Sequence, residues 1–465
     1  EIHWRDWSSD VCSSDLATPA DDARPWPSEA YGWYVTFVLC VCGIVAFIDR
    51  QIINLLVEDI KADLHISDTQ ISLLQGLAFA LFYALAAVPL GRLADLGSRR
   101  TLIAVGIVVW TAAATACGLA RSFWQLFLAR MFVGVGEATV TPSGFSLLAD
   151  LFRPTRVSLP ISVFTGSSFF GSGVALLLGG YVIAHLAGLD QVTLPLFGTV
   201  QPWQAAFIIG ASPGLLVAVL WVLTIREPAR TASTTAAAAT SNANASTDKP
   251  GLLEVARFVR ANAGVFAAVF GGVSVLAAVQ FCLGAWVPAH FIRNLGWNAS
   301  EVGYAYGLIF LFCGTGGVIA GGWLADRLQD RGYRDGHLRA VLFSALAMLP
   351  FVVAFPLMDS GRNAIAVLAP AIFFGTMAFG AGPALIPVIC PPRMRGLLVA
   401  IYLLIANIFG QAGGPLIVAL FTDYVFGSPE RVRDSLLAAP LLLIVCGVAL
   451  VSLGFKGLRR LQAAA

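Results

Sequence analysis

Gly91-Arg92-Leu93-Ala94-Asp95 and Gly322-Trp323-Leu324-Ala325-Asp326 are one stretch written twice with a single change, 231 positions apart. The same offset pairs Gly76 with Gly307, Leu77 with Leu308 and Phe79 with Phe310, so the register holds along a whole helix and not only at one motif. A chain that repeats at this distance is built from two copies of one unit. Six helices followed by six, related as a parallel repeat, is a transporter architecture.

The rest of the sequence agrees with two large apolar units. Of 465 residues, 58% are hydrophobic and only 12% charged, and the mean hydropathy is +0.79. A soluble domain carries about 25% charge, which excludes a soluble enzyme, a disordered chain and a nucleic-acid binder. Twelve spans of about 20 residues use roughly 240 positions, which this length accommodates. Apolar runs fall near 31–57, 70–91, 101–120, 123–148, 158–185 and 204–225, then near 262–290, 301–323, 338–357, 364–389, 397–421 and 436–455. The expected fold is an all-α membrane protein of twelve transmembrane helices in two six-helix bundles, 31–225 and 262–458. Between them lies 226–261, whose Ala, Ser, Thr and Asn-rich stretch reads as a flexible linker. Its end, from Leu252, has the spacing of a short amphipathic helix at the membrane surface.

At the start, Asp6 to Leu16 reads as the translation of a sequencing adapter, so 1–16 is set aside as an artefact. Residues 17–30 form a short N-terminal segment without a cleaved-signal pattern, and 459–465 form a tail. The cysteines lie mostly inside apolar runs with no CxxC, so neither a metal nor a cofactor is expected.

Basic residues orient the chain. With the N-terminus inside, inside loops hold 20 Lys and Arg against 6 outside. Positive-inside sorting then puts both termini and the linker in the cytoplasm of a multi-pass protein, expected in the bacterial inner membrane.

Four charges stand well inside predicted spans: Asp49 and Arg50 on the first, Arg130 and Glu137 on the fourth. Intramembrane charges are costly and mark pathways or proton sites. At 1.5 Å per residue, Asp49 and Arg130 lie about 12 and 10 Å below the same surface, level with one another and able to pair. Glu137 is two turns deeper on the same face, about 10 Å on. Asp49, then Glu137, are the candidate proton carriers, and Arg50, Arg130 and Glu137 the candidate polar substrate contacts. The position equivalent to Asp49 is Gln280, and Asn407 and Gln411 are further polar candidates in the second half. An apolar wall is expected from the seventh, tenth and eleventh spans, with Phe373, Phe374 and Phe379 on the tenth and Ile401 on the eleventh along the hydrocarbon part of the substrate. Glycines cluster on the fifth and eighth spans, where small residues allow close packing of static or moving helices. His185 and His290, near span ends, read as surface residues.

The stretch Gly91-x-x-x-Asp95-x-Gly97-x-Arg99-Arg100 joins two spans on the cytoplasmic side. Its glycines permit a tight turn, and Asp95 is suited to capping a neighbouring helix start. Gly91, Asp95, Gly97, Arg99, Arg100 and the repeat partner Asp326 are the candidate gating residues.

These motifs resemble the major facilitator superfamily over nearly all of 31–458. Phe47-Ile48-Asp49-Arg50, Arg130-x-x-x-Gly134-x-Gly136-Glu137-Ala138, Pro142 and Asp150-x-Phe152 resemble its Spinster-like branch. That resemblance implies alternating access by two bundles and transport of lysophospholipids or sphingolipid phosphates with proton coupling. It departs from the usual pattern at Leu96, where a basic residue is common, and at Trp203-Gln204, where Trp-Arg is common. Organic anion:proton symporters share the Asp-Arg and Gly-Glu-Ala pairs. The expectation is therefore a monomeric, proton-coupled secondary transporter, not an enzyme, working among membrane lipids on an amphiphilic, anionic substrate. The alternatives are a symporter of small carboxylates or sugar acids and, in another class, a non-transporting receptor.

Overall fold

The computed structural model describes residues 27–153, 156–229, 252–390 and 392–464. The suspected artefact 1–16 and most of the expected linker lie outside the described residues. Among the described residues, eleven helices are long and apolar enough to cross a membrane. They are α1 (Glu29–Leu55), α2 (Asp68–Leu96), α3 (Arg99–Cys117), α5 (Leu159–Leu186), α6 (Pro202–Thr224), α7 (Ala263–Leu295), α8 (Ala299–Asp330), α9 (Gly336–Leu357), α10 (Gly361–Ala381), α11 (Leu397–Phe426) and α12 (Pro429–Arg459). The twelfth position, α4, is filled by Phe123–Glu137 continued by Val140–Leu151.

The sequence reading made α4 continuous, and the structure breaks it at Ala138–Thr139. Pro142 is the reason. It lacks an N–H, and its ring crowds the carbonyl four residues back, which belongs to Ala138. The backbone tightens there, with Thr139 N–H donating to the Gly136 carbonyl at 3.3 Å. The break falls immediately after Glu137. An antiparallel hairpin, Val192–Leu194 with Gly198–Val200, was not anticipated in the loop between α5 and α6. The amphipathic helix is present at Leu252–Ala261, with Val255 buried.

Serines set several helix starts. Ser28, Ser98 and Ser122 accept from backbone N–H groups at the heads of α1, α3 and α4, and Ser67 forms a reciprocal capping box with Gln70 on α2. Each cap contributes about 1 kcal/mol.

Both described chain ends and Leu252–Ala261 share one face of the bundle, the terminal face; the loop after α1 lies on the opposite face. Two seams join the halves, α2 against α11 and α5 against α8. Both are tight toward the opposite face. A Cβ on Gly76 would stand 2.6 Å from the Gln411 carbonyl, and one on Gly173 would stand 2.6 Å from the Leu311 backbone nitrogen, so only glycine allows these approaches. Nearer the terminal face α5 leaves α8, and a Cβ on Gly166 would meet nothing within 4 Å. The halves form a wedge, closed on the opposite face and parted on the terminal face.

Candidate functional site

Two of the four charges singled out above, Arg50 and Glu137, line the parted region. Arg50, on α1, donates from Nε to Glu137 Oε2 at 2.7 Å and from Nη2 to the same oxygen. Its guanidinium lies 4.1 Å from the centre of the Phe79 ring and 4.9 Å from that of Phe47. Cation–π contact of this kind holds a cation without neutralising it. Glu137 is buried, and its second oxygen has no partner among the described residues. The break in α4 leaves this acid at the end of a helical segment against the cavity.

Arg50 and Glu137 line a cavity of about 160 Å³ with Tyr83, Thr141 and Ser167. Ser167 also borders a larger space of about 640 Å³ walled by Phe37 and Ile44 of α1, Phe169 and Phe170 of α5, and Val318 and Ile319 of α8. Phe37 and Ile319 are 63% and 68% exposed, so this second space opens sideways between helices, toward lipid. A polar pocket and an apolar groove thus share a wall.

Asp49 does not face that pocket. It is 1% exposed, and neither carboxylate oxygen has a partner among the described residues. The expected pairing with the Arg130 side chain is absent. Arg130 donates instead from Nη1 to the Asp49 backbone carbonyl at 2.9 Å and from Nε to the Leu74 carbonyl at 3.3 Å. It is 1% exposed and ties α1 to the π-helical turn Leu73–Leu77 of α2. Gln280 occupies the mirrored interior of the second half. Its Nε2 lies 3.5 Å from Met348 Sδ, and Met348 stands 231 positions after Cys117, the α3 residue near Asp49 and Arg130. The repeat therefore places both residues inside their own bundles.

The aromatic candidates divide. Phe374 turns into the second bundle, stacked on Phe351 at 5.9 Å, and Phe373 packs edge-on against it at 5.4 Å. Phe379 reaches across to Phe169 of α5 at 5.2 Å. Ile401 is half-buried, and Asn407 is spent on its own helix, donating to the Leu403 carbonyl at 2.8 Å.

Among the gating candidates, Gly97 closes α2 by donating to the Leu93 carbonyl at 2.8 Å. Gly91 lies 4.0 Å, measured from an added Cβ, from Pro142 of its own half. Arg99 is fully buried, paired with Asp150, bonded to Glu227 at 2.8 Å and to the Ser146 carbonyl at 3.1 Å. The Arg100 N–H donates to Glu227 at 2.8 Å. Burial pushes the Glu227 carboxyl up, but the Arg100 N–H, the Arg99 guanidinium and the Ser98 hydroxyl outweigh it and hold it below its ordinary value. These residues bind α3, α4 and α6 together at the terminal face. Asp95 and Asp326 are exposed and make no hydrogen bond or ion pair among the described residues.

The opposite face carries a network that sequence reasoning missed. Arg293 of α7 donates to both oxygens of Asp68, at 2.7 and 2.8 Å, and to Glu58 at 2.7 Å. Lys61 also pairs with Asp68. These contacts join the halves across the closed end. Lys61 and Arg293 counted only as outside charges in the sequence; the usable signal was Ser67-Asp68-x-Gln70, a helix start carrying an acid. His290, expected at the surface, is buried against Phe355 of α9, its Nδ1 2.9 Å from Asn294 Oδ1. His185 is exposed.

The pattern described as the Major Facilitator Superfamily matches residues 39–415. An MFS-type efflux pump of Mycolicibacterium smegmatis is 30% identical over 90% of this chain and 90% of its own length. Protein spinster of Drosophila melanogaster is 26% identical over 84% of this chain and 62% of its own. Among solved structures, a bacterial homolog of the human lysosomal transporter Spinster, in an inward-facing and unoccupied conformation, superposes with a TM-score of 0.77 at 24% identity, over 93% of this chain and 98% of that one. With the twelve-helix arrangement, the internal repeat and these likenesses together, the chain belongs to the major facilitator superfamily as a Spinster-like transporter, and it is not an enzyme.

Proposed function

We propose that this transporter moves an amphiphilic anion by proton-coupled alternating access, and that the structure is its inward-facing state. The observation that carries this reading is the shared wall at Ser167. An anionic head accepted by Arg50 has a hydrocarbon groove directly beside it. Arginine binds phosphate and carboxylate alike through paired N–H donors. A small dicarboxylate would leave the groove between α1, α5 and α8 unused. The charge asymmetry supports a cytoplasmic terminal face, and a parted terminal face is then an inward opening. The name of the mycobacterial relative favours export.

The anion would displace Glu137 from Arg50, since both compete for one guanidinium. Asp49, buried beside Arg130 without a hydrogen-bond partner among the described residues, is the first candidate to carry the proton, and Glu137 the second. Moving Arg130 or Arg50 relative to Asp49 changes how well the charged carboxylate is stabilised, and this links proton occupancy to conformation. Arg130 acts through carbonyls in this state and serves substrate only after rearrangement. Asp95 would close the terminal face by capping the start of α11, near Gly396.

Three measurements test this. Uptake by proteoliposomes, with and without a pH gradient, should show gradient-driven transport of lysophospholipids or other single-chain amphiphiles. Thermal stabilisation by small sugar acids and none by such amphiphiles would overturn the substrate class. Asp95→Asn should shift the balance further toward inward-open, read as greater cytoplasmic labelling of cysteines placed in the cavity; unchanged labelling would count against the gate.

A further inference from the structure

Two helices, α2 and α11, run antiparallel along one seam between the halves, so each begins beside the other's end. On the opposite face Asp423, in the last turn of α11, accepts from the Thr69 N–H at 2.7 Å and from the Thr69 hydroxyl at 2.6 Å. Thr69 is the second residue of α2. Its N–H has no partner within its own helix, and it points from the positive end of the helix dipole. Asp423 therefore caps a helix that belongs to the other half of the molecule.

Contact continues inward from there. The Ser72 hydroxyl donates to the Pro415 carbonyl at 2.9 Å. Gly76 then lies so close to α11 that an added Cβ would stand 2.9 Å from Ala412 Cα. At this crossing both helices are π-helical, over Leu73–Leu77 and Ala406–Ala412. Such turns are local distortions of the α-helical ladder and recur at functional sites. Beyond the crossing, at the terminal end of α2, Asp95 is exposed and makes no hydrogen bond or ion pair among the described residues.

We infer that Asp423 and Asp95 are the two ends of one reciprocal latch that pivots at the paired π-turns. In the state seen here Asp423 caps α2 and the opposite face is shut. When α2 and α11 rock about the crossing, Asp423 releases Thr69 and Asp95 caps the start of α11. One carboxylate-to-helix-start contact is exchanged for another. Neither state then gains a cap that the other lacks, so the two stay close in free energy and a modest input from substrate moves the balance. The inference rests on alternating access but on no choice of substrate or coupling ion.

The test uses spin-label distances in purified protein with its native cysteines replaced. One pair, at Arg121 and Asp359, spans the halves on the opposite face; a second, at Ala30 and Arg331, spans them on the terminal face. Asp423→Ala should raise the population open on the opposite face about fivefold, the loss of one helix cap. The first distance should lengthen and the second shorten. Asp95→Ala should move both distances the other way. Thr69→Val keeps the backbone N–H and removes only the hydroxyl donor, so it should give a smaller shift of the same sign as Asp423→Ala, and it decides the matter if that variant does not fold. Unchanged distances in the Asp423 and Thr69 variants, or shifts in the direction of Asp95→Ala, would overturn the latch. Because no ligand is added, failure of the amphiphile reading leaves this result untouched.

Discussion

Asp49→Asn protein reconstituted in liposomes is expected to bind substrate but to show no accumulation in response to a pH gradient. One coupled proton supplies about 1.4 kcal/mol per pH unit, a tenfold accumulation, and it is this factor that should fall to about one. Asparagine keeps the shape of the side chain and cannot gain or lose the proton. Burial explains why the effect should be large. The carboxylate has no hydrogen-bond partner among the described residues in this state, and an unpaired charge in such a site is expensive. Movement of Arg130 from the Asp49 carbonyl to its carboxylate would remove that cost, so the two states differ in the proton they favour. Exchange of pre-loaded substrate, which needs no gradient, should persist in the variant and shows that the protein still works. Gradient-driven accumulation retained by Asp49→Asn would exclude Asp49 and pass the role to Glu137.

The architecture was legible because a repeat is a long-range fact written in local residues. Gly91–Asp95 and Gly322–Asp326 need no structure to be matched, and positions such as Gly76 and Gly307 extend the match over a helix. Arg50 and Glu137 stood out for a related reason: charge inside an apolar run is conspicuous. Their pairing was harder, since depth alone made Asp49 and Arg130 the natural couple. Depth gives height along the bundle normal but not the direction a side chain points, and Arg130 finds backbone carbonyls at the same level. The expectation of Gln280 at the cavity fails for the same reason, since it packs on Met348 inside its own bundle, and so does that of His290 at the surface, which is buried against Phe355. The break in α4 was readable from Pro142 and the carbonyl four residues before it. The opposite-face network was not readable, because Arg293 and Asp68 are 225 positions apart and meet only when the wedge closes on that face.

Arg50 gives the second large effect, and its sign separates stability from recognition. Arg50→Met leaves Glu137, whose side chain is 2% exposed, buried with no cation bonded to it. Breaking a buried pair by removing one partner costs about 3 kcal/mol or more, so the single variant should be markedly less stable in a thermal unfolding assay. Removing both charges, as Arg50→Met with Glu137→Met, removes the uncompensated acid and should restore most of that loss, since an apolar pair in place of a buried ion pair is often neutral or better. Substrate recognition should not return with it. The anion has then lost the guanidinium that faces the cavity, while the groove of α1, α5 and α8 is intact. Arg50→Lys completes the comparison: it keeps the charge but not the planar paired donors, and binding of an anionic amphiphile should weaken by about tenfold or more, at one lost charge-assisted hydrogen bond. Binding to the double variant as tight as to the unaltered protein, with its stability restored, would remove Arg50 from the head-group site and leave its pairing with Glu137 as a structural tie between α1 and α4.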